Sequence, residues 1–195
     1  MIKVAFIIPG YGESHKKQSG YTEIAKFFAN KNILPIQVEI DWEIKKKKNF
    51  KRYARQFIRQ YNQQILPKDT EIYILGFSFG AVTALLSAPK IKPTALLLCS
   101  LSPYFKEDLL NLKPTWLKWY KNEFSNYISF DSVIKNVSTQ AYFIVGDKEH
   151  KSCLIRAKDG QKKLKNSTLI FAKGAKHKIG QKEYLKTLKK VISKL

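Results

Sequence analysis

Short apolar runs alternate along the chain with longer segments in which apolar residues recur at helical spacing. The apolar runs predict six strands, over residues 3–8, 35–40, 71–75, 94–99, 140–145 and 168–171. The segments between them predict helices over residues 20–30, 49–65, 79–87, 131–136, 153–164 and 181–194. Runs that are apolar at every position are typical of parallel strands with both faces covered. The pattern therefore predicts an α/β fold, a three-layer α/β/α sandwich.

The composition is that of a globular protein with one core. The chain has 195 residues, of which 44% are hydrophobic, and it contains no repeat, low-complexity linker or glycine-proline hinge. We therefore expect one domain over residues 1–195. The apolar N-terminal run is too short for a signal peptide, no run is long enough to span a bilayer, and Cys99 and Cys153 make no disulfide or metal framework. These features predict a cytoplasmic protein.

The most specific motif is a serine between two glycines, in Gly76-Phe77-Ser78-Phe79-Gly80. It joins the third predicted strand to the third predicted helix, which is the context of a nucleophile elbow. The turn is so sharp that the serine backbone is strained, and a Cβ at either glycine would meet the adjoining strand or helix. The motif makes Ser78 the candidate nucleophile.

A serine hydroxyl is a weak nucleophile at neutral pH, so it needs a histidine to take its proton and an acid to orient that histidine. The chain has three histidines. His177 follows the last predicted strand, where the base is expected when the order is serine, acid, histidine. His150 is the main alternative, and His15 precedes the elbow. For the acid, Asp147 comes first after the fifth predicted strand, with Glu149 as the alternative.

The negative charge of a tetrahedral intermediate is normally stabilised by two backbone N–H groups. Phe79 is one predicted donor, because its amide begins a helix and lies at the positive end of the helix dipole. The second donor is expected in the glycine turn after the first strand, over residues 9–14. Tyr11 is the predicted donor there, and Gly12 is the alternative.

Residues 102–130 interrupt the alternation of strands and helices with a cluster of aromatic residues. The segment follows a strand end, where loops over a binding site leave a parallel sheet. It is either a surface excursion whose aromatic side chains complete the core, or a short lid that lines an acyl pocket. The candidate pocket residues are Phe77, Tyr104, Trp116 and Trp119.

Four stretches together resemble the α/β-hydrolase superfamily. They are Pro9-Gly10-Tyr11-Gly12, Gly76-Phe77-Ser78-Phe79-Gly80, Gly146-Asp147-Lys148-Glu149 and Gly174-Ala175-Lys176-His177. The resemblance covers nearly the whole chain, and it looks like the small members that lack the two leading antiparallel strands. It implies six parallel strands in the order 2-1-3-4-5-6. Two positions differ from the common pattern: the oxyanion turn has proline before glycine, where the family commonly has histidine, and Phe77 replaces a histidine or tyrosine.

These residues predict a serine hydrolase that cleaves a carboxylic ester or a thioester through an acyl-enzyme, with no metal or organic cofactor implied. The 36 Lys and Arg against 15 Asp and Glu give a formal net charge of +21, which suits an anionic substrate. We interpret most of this charge as a solvated surface, because no nucleic-acid-binding motif accompanies it. The alternatives are a non-catalytic binding module of the same fold, and a nucleic-acid-associated hydrolase that docks through the basic segment 45–59.

Overall fold

Six parallel strands form the sheet at the centre of the structure. A computed structural model describes residues 1–13, 19–42, 47–125 and 128–195. The strands are β1 (Lys3–Ile8), β2 (Leu34–Gln37), β3 (Glu71–Phe77), β4 (Ala95–Cys99), β5 (Gln140–Gly146) and β6 (Ser167–Ala172). Their spatial order is β2-β1-β3-β4-β5-β6, which confirms the predicted order.

Helices cover both faces of this sheet, so the predicted three-layer sandwich is also confirmed. They are α1 (Ser19–Ala29), α2 (Phe50–Asn62), α3 (Phe79–Ile91), α4 (Pro114–Glu123), α5 (Phe130–Ile134), α6 (Lys151–Lys163) and α7 (Lys182–Ile192). Alternate side chains of β1 enter two separate cores. Ala5 and Ile7 pack with α1 and α7, whereas Val4 and Phe6 pack with α2 and α3. Because both faces are buried, the strands are apolar throughout.

The second strand ends earlier than its apolar run predicts, at Gln37 instead of residue 40. Two glutamines of α2 bind the backbone beyond it. Gln60 donates to the carbonyl of Glu39 and accepts from its amide, and Gln56 accepts from the amide of Asp41. These side chains replace the sheet as the hydrogen-bonding partner of the backbone, so the apolar pattern continues while the strand does not.

The segment 102–130 contains two helices that the sequence pattern did not predict. A 3₁₀ helix spans Lys106–Asn111, and α4 follows it. The segment is fixed to α6 by the buried side chain of Arg156, which forms ion pairs with Asp108 and Asp159 and lies over the rings of Phe105 and Phe130. The segment is therefore anchored in the body of the protein as well as lying above the sheet.

The strand order also determines where the sheet opens. From β1 the chain first builds β2 on one side and then crosses to place β3 on the other side of β1. At such a reversal the connections leave in opposite directions, and a crevice forms at the carboxyl ends of the two strands. The ends of β1 and β3 lie together here, since Ile8 pairs with Gly76. Both predicted parts of the site, the glycine turn and the elbow, begin at this crevice.

Candidate active site

Ser78 lies in the turn between β3 and α3, with a backbone φ of 55° and ψ of −113°. This left-handed φ is strained for a residue with a side chain. The turn needs glycine on both sides. A Cβ on Gly76 would lie 2.3 Å from the carbonyl oxygen of Gly80, and a Cβ on Gly80 would lie 2.4 Å from that of Ile8. The geometry is that of the elbow that the motif predicts.

A hydrogen-bonded chain joins Ser78 to an imidazole and a carboxylate. Nε2 of His177 lies 3.0 Å from Oγ of Ser78, and Nδ1 of His177 lies 2.7 Å from Oε2 of Glu149. Because a carboxylate accepts only, Nδ1 carries the ring proton, and Nε2 is left to accept from the serine hydroxyl. The three groups come from the ends of β3, β5 and β6, which are far apart in sequence. The arrangement can therefore transfer the serine proton to His177.

The acid that bonds to His177 is Glu149 and not the predicted Asp147. Asp147 lies on the exposed side of the β5–α6 turn, where its Oδ1 accepts from the amide of Gly174 at 2.7 Å. The turn closes through a bond from the Glu149 amide to the Gly146 carbonyl, and it directs the longer glutamate side chain back over the sheet. Asp147 instead holds the loop that carries His177.

Glu149 is held on its other oxygen by groups that the sequence did not single out. Its Oε1 accepts from the amide of Gly146 at 2.8 Å and from the hydroxyl of Ser100 at 2.6 Å. Ser100 also bonds to the hydroxyl of Tyr184, at 2.7 Å. The Glu149 side chain is fully buried, so these donors replace the water that a carboxylate would otherwise bind. Ser100 directly follows β4, and this position was the only sequence signal for it.

The glycine turn after β1 is held by Tyr21 of α1. The Tyr21 hydroxyl accepts from the amide of Gly10 at 2.8 Å and donates to the carboxylate of Glu13. Burial and the neighbouring carboxylate raise the pKa of Tyr21 well above its usual range, so the hydroxyl stays protonated. Tyr11 lies in this turn, and its ring contacts that of Phe79 at 5.0 Å between centroids. The two predicted oxyanion donors thus belong to neighbouring segments.

The amide of Phe79 begins α3, and the first N–H groups of a helix have no partner within it. It is available to an anion at this position. Gly12, the alternative to Tyr11, has a φ of 69° and lies in the same turn. A second hydroxyl approaches the nucleophile: Oγ of Ser102 is buried and lies 3.0 Å from Oγ of Ser78. Like Ser100, Ser102 was not predicted as a site residue from the sequence. Its position after β4 was the only signal for it.

A cavity of about 980 Å³ opens above Ser78, close to the upper end of the size range of small-molecule pockets. All four predicted pocket residues line it: Phe77, Tyr104, Trp116 and Trp119. Trp116 is 46% exposed at the mouth, whereas Tyr104 is 5% exposed and stacks on Tyr120. The aromatic segment therefore contributes both to the core and to the cavity wall. Tyr127, another aromatic residue of that segment, lies outside the described residues.

The remaining sequence candidates lie elsewhere. His150 precedes α6 at the cavity rim, with its ring 6.0 Å from that of Trp116, and it is not the histidine that bonds to Ser78. His15 lies outside the described residues, as do Lys45 and Lys46 of the basic segment. Lys48 of that segment is largely buried, pairs with Glu123 and lies over the ring of Trp119.

Comparison with known proteins identifies the architecture. No model of a known protein family matches the sequence, and no curated protein matches it. Solved structures do match: Est1E from Butyrivibrio proteoclasticus, with ferulic acid bound, has a TM-score of 0.76 at 13% identity over 98% of this chain and 87% of that one. The chain has the α/β-hydrolase fold.

Two further structures have this fold and similar coverage. Esterase Pf2001 from Pyrococcus furiosus has a TM-score of 0.71 at 15% identity, over 98% of this chain and 81% of its own. Alpha/beta hydrolase domain-containing protein 10 from mouse has a TM-score of 0.70 at 13% identity, over 98% of this chain and 88% of its own.

Phe77 stands where the α/β-hydrolase pattern commonly has a histidine or tyrosine. Its ring packs against the imidazole of His177, with 5.0 Å between the two ring centroids.

None of the helices in the described part of this chain has the length and apolar character that a bilayer crossing requires.

Proposed function

We propose that the protein is a serine hydrolase that cleaves a carboxylic ester through an acyl-enzyme. Ser78 is the nucleophile, His177 is the general base and then the general acid, and Glu149 orients the imidazole. The observation that carries this proposal is the continuous chain of hydrogen bonds, 3.0 Å from Ser78 to His177 and 2.7 Å from His177 to Glu149. A serine near an unrelated histidine would lack the carboxylate that keeps Nε2 free to accept a proton.

In the first half-reaction, Ser78 Oγ attacks the ester carbonyl while its proton passes to Nε2 of His177. The Phe79 N–H, with a second N–H from the glycine turn, stabilises the negative oxygen of the tetrahedral intermediate. We assign that second donor to Tyr11. His177 then protonates the departing alcohol. In the second half-reaction His177 takes a proton from a water molecule, which attacks the acyl-enzyme. The bond to Ser78 Oγ then breaks, His177 returns the proton to that oxygen, and the acid is released.

Two features support an ester as the substrate class. Solved structures with this fold include an esterase from Pyrococcus furiosus and a protein with bound ferulic acid, an aromatic acid. The residues that line the cavity above Ser78 include five aromatic ones: Phe77, Phe79, Tyr104, Trp116 and Trp119. Such a lining favours an aromatic or extended apolar acyl group, because it removes apolar surface from water.

A thioesterase that acts on an anionic carrier is a second candidate. Lys113 and Lys151 line the cavity next to Trp116 and His150, and the chain as a whole carries a formal charge of +21. Cations at the mouth favour a negatively charged leaving group and speed its association at low salt. The same acyl chain offered as a neutral ester and as an anionic thioester separates the two candidates.

Hydrolysis of p-nitrophenyl esters by the purified protein tests the proposal. We expect turnover that depends on Ser78, with Ser78→Ala near the background rate and a wild-type preference for acyl groups longer than acetyl. A folded wild-type protein without turnover on any ester or thioester would favour the non-catalytic alternative. An active Ser78→Ala protein would contradict the assigned nucleophile.

A further inference from the structure

Cys153 adds a third metal-binding side chain to the carboxylate and imidazole beside Ser78. It lies in the first turn of α6, is 5% exposed, and lines the same cavity. One ligand atom from each of Glu149, Cys153 and His177 lies within 4.8 Å of the other two. The proposed hydrolysis makes no use of the thiol.

Each of these three groups is a side chain of a type that binds zinc in proteins. Zn²⁺ binds thiolate sulfur at about 2.3 Å and imidazole nitrogen or carboxylate oxygen at about 2.0–2.2 Å, in tetrahedral geometry. In that geometry two ligand atoms are roughly 3.3–3.8 Å apart. Around a cation, the 2.7 Å separation of Glu149 Oε2 and His177 Nδ1 has to open and separations near the 4.8 Å limit have to close, each by roughly 1 Å.

We propose that Glu149, Cys153 and His177 form an inhibitory site for Zn²⁺ that switches off the hydrolase. The effect on activity rests on the proposed function, whereas the binding of the cation does not. Soft or borderline cations such as Zn²⁺ and Cd²⁺ are the expected ligands, because a thiolate selects them over Mg²⁺ and Ca²⁺.

The inhibition follows from the two nitrogens of one ring. Nδ1 of His177 faces Glu149, and Nε2 faces Ser78. A cation held beside Glu149 and Cys153 takes the lone pair of Nδ1, so a neutral ring carries its proton on Nε2. That nitrogen then donates to Ser78 and no longer accepts its proton. The ring keeps one proton, and the thiol releases one to solvent, so binding frees one proton in total.

The site is suited to reversible occupation. The Cys153 side chain is 5% exposed, and a metal has to displace its thiol proton in order to bind. Part of the coordination energy offsets this cost, and the affinity is lower than that of a structural zinc site with preformed thiolates. A chelator should therefore restore activity without unfolding the protein.

Binding is tested first without reference to activity. Cd²⁺ is titrated into the Ser78→Ala protein, and the ultraviolet sulfur-to-metal charge-transfer band is recorded. We expect the band to saturate at about one cation per chain. It should be lost in Cys153→Ser and weakened in His177→Ala, and it should persist in Cys99→Ala, which removes the other, fully buried cysteine. Absence of the band in Ser78→Ala, or its survival in Cys153→Ser, would overturn the proposal.

Inhibition is tested second, with each variant compared with its own metal-free rate. We expect Zn²⁺ to inhibit the wild type reversibly, with EDTA restoring the rate. The same degree of inhibition of Cys153→Ser should need at least roughly tenfold more Zn²⁺ than the wild type needs. Equal sensitivity of wild type and Cys153→Ser would show that inhibition arises elsewhere. If the charge-transfer band forms but no ester is cleaved, the metal site stands and the proposed function fails.

Discussion

The carboxylate of Glu149 lies 2.7 Å from Nδ1 of His177, although Asp147 is the acid that directly follows β5. The two acids make different contacts. Glu149 turns inward and is fully buried against the imidazole, whereas Asp147 turns outward and binds the amide of Gly174 in the loop that carries His177. The proposed roles of the two acids can be separated by experiment.

Amide substitutions of the two acids should have very different effects. In Glu149→Gln the imidazole loses the anion that stabilises its protonated form, and we expect kcat to fall by about 10³–10⁴-fold. In Asp147→Asn we expect kcat to stay within about tenfold, because the amide oxygen still accepts from Gly174. Steady-state kinetics on one activated ester provide the comparison. A larger loss in Asp147→Asn than in Glu149→Gln would reverse the assignment.

Removal of the Tyr21 hydroxyl should disturb the glycine turn and leave the nucleophile in place. Tyr21→Phe deletes the bonds to Gly10 and Glu13, so the proposed Tyr11 donor is no longer held. We expect kcat to fall by roughly 10- to 100-fold with little change in KM.

The matched control is Tyr73→Phe, which deletes a similar bond, 2.5 Å long, to Glu71 at the opposite end of β3. We expect this variant to keep the wild-type kcat. If both variants lost activity and thermal stability to the same extent, Tyr21 would have only a structural role.

Trp116 should affect acyl preference more than reactivity. It is 46% exposed at the cavity mouth, so its removal costs little folding energy. We expect Trp116→Ala to raise KM for long acyl chains by several fold and to leave hydrolysis of a small acetate ester nearly unchanged. The double variant with Trp119→Ala should extend the effect. Equal losses on both esters would instead mean that these rings support the core.

The buried pair of Asp108 and Arg156 should make stability fall as pH rises. Burial, partly offset by Arg156, raises the pKa of Asp108 to about 6, above the value of 3.8 for a free side chain. The folded protein therefore binds this proton more tightly than the unfolded chain. The resulting stabilisation, at most about 3 kcal/mol, is present below pH 4 and is lost as pH rises through about 6.

Unfolding in urea from pH 4 to pH 7 measures this effect, with Asp108→Asn as the non-titrating reference. We expect the free energy of unfolding of the wild type, relative to the variant, to decrease across this range. An increase would mean that Arg156 lowers the pKa of Asp108 below its usual value.

Much of the fold could be read from the apolar pattern, because burial on both faces makes each strand a continuous apolar run. The alternation that predicts six strands also predicts the parallel sheet, and the resemblance supplied the strand order. The end of β2 could not be predicted. It depends on Gln56 and Gln60, whose side chains come from a helix that follows the strand in sequence.

Part of the candidate site could be predicted from local sequence patterns. Ser78 and His177 stand in local contexts, an elbow and a loop after the last strand, that sequence patterns describe well. The choice between Asp147 and Glu149 depends on how one short turn directs two side chains. The sequence Gly146-Asp147-Lys148-Glu149 fits a turn that buries either acid. The contacts of Ser100 and Ser102 are tertiary, and their position after β4 is the only local signal for them.

Intact-mass labelling with a fluorophosphonate tests the central claim most directly, because the probe reports an activated serine without knowledge of the substrate. We predict one adduct on the wild type, no adduct on Ser78→Ala, and labelling of His177→Ala that is slower by orders of magnitude. A well-folded wild-type protein that takes no label, or an adduct that persists in Ser78→Ala, would contradict the account.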